Sequence, residues 1–157
     1  MATKPFFGTV VHLTATGHVL AVVASGALEP TVEQLTGSDR IRVRFAGLST
    51  FVNVPVGVLT ATRLPIPADL LDRPQWYVLN PANSPPLTFG SEPKVNVPVT
   101  PGVAGKKVIV VWQSAGASFP EDGVLDAQGK PPSGAPTGAT AQLVAYEGGP
   151  LYLRTLP

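Results

Sequence analysis

The sequence predicts a mainly β protein, a small β body with extended termini and a long Gly/Pro-rich loop or arm. Three observations lead there. Polar and apolar residues alternate with period two, most plainly in Arg40-Ile41-Arg42-Val43-Arg44-Phe45. That pattern puts three guanidinium groups on one face of a half-buried strand and Ile41, Val43 and Phe45 on the other. Helix signals are confined to two short stretches, Pro30–Gly37 and Pro67–Leu71, each opened by a proline and neither long enough to carry a fold. Finally, 16 Gly and 18 Pro in 157 residues punctuate the chain at short intervals.

Phe6–Thr14 and His18–Ala24 are strand candidates, and Val10–Val23 reads as a hairpin that turns near Thr14-Ala15-Thr16-Gly17, with Gly17 supplying the positive φ. Arg40–Phe45, Thr50–Val58, Gln75–Leu79, Lys94–Val99, Lys106–Gln113, Ala141–Tyr146 and Leu151–Thr155 are the further strand candidates. Pro55, Pro65, Pro67, Pro81, Pro85, Pro86, Pro93, Pro98 and Pro101 crowd the middle of the chain. Proline has no N–H for a ladder, so these segments are expected at edges, corners or connectors. Residues 119–140, ending in Lys130-Pro131-Pro132-Ser133-Gly134-Ala135-Pro136, are expected as an extended loop or arm. Strand candidates are interleaved with the prolines, so residues 1–157 read as one domain with residues 1–7 as an N-terminal arm.

Composition removes several functions. The chain is 44% hydrophobic and only 13% charged, against about 25% charged in an ordinary soluble domain. Small apolar and hydroxyl residues must therefore cover the surface, which protects it poorly against association. A net charge of +1 supplies no field for nucleic acid, whose binding depends on many phosphate contacts. The absence of cysteine excludes disulfides, thiol nucleophiles and thiolate metal sites. No apolar run reaches the ~18 residues of a membrane helix, and His12, Thr14, Thr16 and His18 interrupt the apolar stretch from Val10 to Leu28 that would otherwise resemble a signal peptide. Few Asn, Gln and Met alongside many Pro match part of a thermostable composition.

The search for chemistry yields little that is catalytic. His12 and His18 flank the hairpin turn, and a two-residue loop would set them on opposite faces unless a bulge intervenes. Glu121, Asp122 and Asp126 cluster without the ligand order of a cation-binding loop. Gly105-Lys106-Lys107 lacks both the first Gly and the Ser/Thr of a phosphate-binding loop. Trp76, Tyr77 and Trp112 are either core or a platform for sugar rings. Arg40, Arg42 and Arg44, about 6.6 Å apart along one strand face, form a strip suited to the carboxylates of a partner chain. The two apolar ends, with Lys4, Phe6 and Phe7 at one and Tyr152 and Leu153 at the other, are candidates for insertion into neighbours.

The His18–Ala24 strand, the Arg40–Phe45 strand followed by Gly47 and Phe51-Val52-Asn53-Val54, and the extended termini together resemble the auxiliary (decoration or cement) capsid proteins of tailed bacteriophages, of the thermophilic-phage type. The resemblance covers about the first 60 residues. It implies a β-tulip or small-barrel body and no cofactor. It also implies a non-enzymatic protein that is made in the host cytoplasm, trimerises on the outer surface of the head and bridges major capsid subunits. Under it, Lys4, Phe6, Phe7, Arg40, Arg42, Arg44, Tyr152 and Leu153 contact partners, and neither nucleic acid nor membrane is one of them. The alternative is a carbohydrate-binding or adhesive β domain of a phage tail or cell surface, built on the aromatic platform.

Overall fold

The computed structural model describes residues 7–24, 40–44, 50–132 and 134–156. Half of the chain is strand, and no α-helix occurs among the described residues. The central element is a five-stranded sheet of order β10-β9-β11-β12-β8. Its strands are β8 (Lys94–Val95), β9 (Lys107–Ser114), β10 (Ala117–Val124), β11 (Ala139–Tyr146) and β12 (Tyr152–Thr155). Neighbours pair antiparallel except β12 with β8.

This sheet is apolar on both faces, as the unbroken run Val108-Ile109-Val110-Val111 requires. Ile109, Val111, Leu143, Ala145 and Leu153 point to one side, where they meet Val11, Leu13 and Leu20 together with Val43, Val52 and Val54. Val108, Val110, Trp112, Val144, Tyr146 and Tyr152 point to the other and pack with Val99, Leu125 and Leu156. The cover on that second side is loop, and it is tied down by both tyrosines. Tyr146 Oη donates to the Thr100 carbonyl at 2.6 Å, and the Thr100 N–H donates to Tyr152 Oη at 3.1 Å.

A three-stranded sheet, β2-β1-β5, lies over the first side. It consists of β1 (Phe7–Leu13), β2 (Val19–Ala24) and β5 (Leu59–Pro65). The hairpin β1–β2 turns through Gly17 at φ +83°, where a Cβ would collide with the Leu79 carbonyl oxygen. The outer face of this sheet carries Val10, Val19 and Leu64, which with Ile66 just after β5 pack against Leu70, Tyr77, Leu79 and Leu87. Those four come from short 3-10 turns and from the two-stranded pair β6 (Tyr77–Leu79) and β7 (Leu87–Phe89). A second two-stranded pair, β3 (Arg40–Val43) with β4 (Val52–Pro55), completes the body.

None of these sheets closes on itself, so the β-rich body takes the form of open packed sheets rather than a barrel. The C-terminal segment is not an extended tail. β12 lies between β11 and β8 with Leu151, Tyr152 and Leu153 all buried, because its alternate residues complete both cores. Residues 119–140 are not loop throughout. Their first part is β10, hairpin-paired with β9, and the remainder folds back through Leu125 N–H to Lys106 O and Gly102 N–H to Gly129 O bonds. Leu125 is 2% exposed, and its burial supplies the anchor.

Two substitutions check this packing. Leu143→Ala, at a fully buried site, is expected to cost about 2–5 kcal/mol, read as a lowered urea midpoint. Thr9 is fully buried and its Oγ1 has no hydrogen-bond partner, so Thr9→Val is expected to raise stability by about 1 kcal/mol in the same measurement.

Candidate functional site

The residues named from the sequence separate into distinct places. Lys4 and Phe6 lie outside the described residues. Phe7 opens β1 opposite Pro65, with the Arg63 guanidinium 4.6 Å from its ring centre. It is thus half-buried within its own chain. Arg40, Arg42 and Arg44 are exposed while Val43 is buried and Ile41 half-buried, so the alternation holds from Arg40 to Arg44; Phe45 lies outside the described residues. The Arg42 guanidinium stacks 4.1 Å from the Phe51 ring centre. Tyr152 and Leu153 are 2% and 0% exposed. They cannot reach a partner while β12 stays in the sheet, and this corrects their assignment as contacts.

The open surface lies elsewhere, on β10. Seven of its eight residues are exposed, Phe119 at 47% and Val124 at 58%. Among the described residues only β9 hydrogen-bonds to it. Pro120 is tolerated because at an edge its missing N–H falls on the unpaired side. An edge of this length presents a row of unpaired N–H and C=O groups, and Glu121 and Asp122 make it acidic. Sequence reasoning missed this strand because Pro, Gly and two carboxylates suppress any strand signal. The tight Ala115-Gly116 turn after the strong β9, with Gly116 at φ +75°, is the signal that would have found it.

The two histidines do not meet at a common ligand. β1 and β2 do shift register between Val11 and His12, but each imidazole is engaged separately. His18 Nε2 donates to the Gly149 carbonyl at 2.6 Å. A carbonyl can only accept, so Nδ1 is the acceptor for the Thr16 hydroxyl at 2.8 Å. Burial holds the His18 pKa below its ordinary value of 6.5, with the Gly149 bond opposing. His12 Nε2 meets Thr62 Oγ1 at 3.1 Å, and its pKa is likewise lowered by desolvation. Asp126 is spent on its own turn, its Oδ1 accepting from the N–H groups of Gln128 and Lys130, both at 2.9 Å. Among the described residues no three His, Asp or Glu side chains gather as a metal group would require.

The aromatic residues do not form one platform. Trp112 is 4% exposed in the core beneath the loops, and Tyr77 is 6% exposed in the outer cluster. The Tyr77 hydroxyl donates to both Asp69 oxygens at 2.7 Å. Desolvation and then that carboxylate push its pKa up to about 12. Exposed Phe89 packs edge-on against Tyr77 at 5.6 Å between ring centres and lies tilted at 5.7 Å from half-buried Trp76. Phe89 and Tyr77 join Pro65, Ile66, Pro67 and Pro86 in lining an apolar groove of about 490 Å³. The Trp112 indole N–H is buried with no acceptor, a defect costing about 1–3 kcal/mol.

No family model, no curated protein and no solved structure matches the chain.

A pH measurement tests the His18 arrangement. A buried His with lowered pKa leaves the unfolded chain to take up the proton first. Stability is therefore full above pH 6.5 and falls as pH drops below it towards the folded-state pKa. The urea midpoint is expected to decrease between pH 7.5 and 5, and His18→Gln, which keeps a side-chain donor, to flatten that slope.

Proposed function

We propose that this protein is a non-catalytic assembly protein that acts by lending an open sheet edge to neighbouring chains. In its specific form it is a decoration protein that trimerises on the outer surface of a phage head and bridges major capsid subunits. The single observation that carries the reading is β10, an eight-residue edge strand exposed along its length with one hydrogen-bonded neighbour among the described strands. Strand addition at such an edge draws affinity from main-chain hydrogen bonds and specificity from alternate side chains. Many weak copies on a lattice then bind as one through effective concentration.

The charge-poor composition fits a surface largely covered by other subunits. The exposed Arg40, Arg42 and Arg44 would set docking orientation and encounter rate more than affinity. The carbohydrate reading loses its single platform, since Tyr77 and Trp112 are both largely buried and belong to different clusters.

Light scattering of the isolated chain, followed by co-sedimentation with empty heads, tests the proposal. Trimer mass and saturable co-sedimentation are expected. A monomer that ignores heads and binds a glycan array would sink the reading. Phe119→Asp, on the exposed face of β10, is expected to reduce head occupancy about tenfold, the weight of one well-packed apolar contact, without moving the thermal midpoint. Removing residues 1–6, which stops short of β1, is expected to weaken assembly while the body stays folded, as read by gel densitometry of sedimented heads.

A further inference from the structure

Trp112 carries the only buried side-chain N–H among the described residues that lacks an acceptor, and it lines a cleft of about 380 Å³. That volume is within the range of sites for small organic molecules. Pairing across the sheet builds the polar part of the cleft. Gln142 on β11 stands opposite Trp112, and Arg154 on β12 stands opposite Gln142. The Gln142 side chain is 95% buried, at 5% exposure, and its Oε1 receives one long bond, 3.4 Å, from Arg154 Nη1. Most of the guanidinium fork therefore keeps donor capacity.

Lys130 adds a second cation. Its backbone is held by the Asp126 turn, whose carboxylate oxygen accepts from the N–H groups of Gln128 and Lys130. Among the described residues no carboxylate side chain lines the cleft, so two cationic residues border it without an acidic one. Pro98 and Pro131 contribute apolar wall. Two cations, a buried amide and an orphaned indole N–H beside proline surfaces are complementary to an anion attached to a compact apolar body.

We propose that this cleft binds a small organic carboxylate. The carboxylate lies between Lys130 and Arg154, a match for the planar guanidinium fork, and the apolar body lies against the indole and the prolines. A bare inorganic anion would satisfy the cations and leave the apolar walls uncovered. The site is independent of β10 and of any capsid, so its test stands apart from the assembly reading.

The chain has two Trp, hence two indole N–H signals in a ¹⁵N-labelled sample, and Trp76→Phe assigns the one from Trp112. Benzoate is the probe, with acetate and inorganic phosphate as comparison arms. Titration with benzoate is expected to move the Trp112 signal saturably, with acetate and phosphate each binding at least about tenfold more weakly. Arg154→Gln and Lys130→Gln, at half-exposed and exposed positions, are each expected to weaken benzoate about tenfold, the weight of one charge-assisted bond, with unchanged thermal midpoints. The proposal is overturned by an unmoved Trp112 signal, by phosphate or acetate binding as tightly as benzoate, or by benzoate affinity that survives both substitutions.

Discussion

Everything in this molecule depends on covering β9 and β11 on both faces. Val108 to Trp112 and Leu143 to Tyr146 are all nearly inaccessible to water, and burial of each large side chain contributes on the order of 1.5–3 kcal/mol. One face finds a second sheet and the β3–β4 pair. Among the described residues the other finds loop, the segments around Val99 and Leu125. Loop backbone must still satisfy its polar groups, which is why Tyr146 and Tyr152 bond to Thr100 and why Gly102 and Gly129 exchange a backbone bond. Gly129, at φ +76°, also sits where any Cβ would strike the Gly102 carbonyl, so the close approach of the two loops sets the residue.

The same constraint links the layers. His18, in the turn of the β1–β2 hairpin, reaches Gly149 beside the β11–β12 connection. A buried imidazole thereby fastens one sheet to the other through a carbonyl that has no strand partner. The Gly149 bond favours the charged ring, but desolvation outweighs it and lowers the pKa, the electrostatic cost of that position. The histidine pair, which in sequence looked like an incomplete metal site, is a structural fastener at His18 and a strand-surface bond at His12.

Two of the surfaces left among the described residues carry the functional readings. The β10 edge exists because the sheet ends there, and it carries the assembly reading. The cleft over Trp112 exists because a loop covers a sheet less completely than another sheet would. That gap leaves an indole N–H without an acceptor next to two cations. Neither surface includes the exposed Arg40, Arg42 and Arg44, which lie on and just after β3 of a separate two-stranded pair.

Strand identity was legible wherever apolar side chains set it. β1, β2, β3, β9, β11 and β12 follow from period-two alternation or from unbroken Val/Ile runs, and Gly17 marks the hairpin turn at φ +83°. β5, β7 and β10 were not legible, because Leu59–Pro65 mixes Thr and Ala, Leu87–Phe89 follows Pro85 and Pro86, and Ala117–Val124 carries Pro, Gly and two acids. Their strand form comes from partners far away in sequence or from a strong neighbour, information that a local pattern does not contain. Of the candidate site, the sequence determined by itself that Arg40, Arg42 and Arg44 share an exposed face. The tertiary structure decided that Tyr152 and Leu153 are core, that β10 is the open edge, and that Trp112, Gln142 and Arg154 form one row. That row depends on register across three strands, and register is set by which faces must be buried, a condition that only the packed molecule imposes.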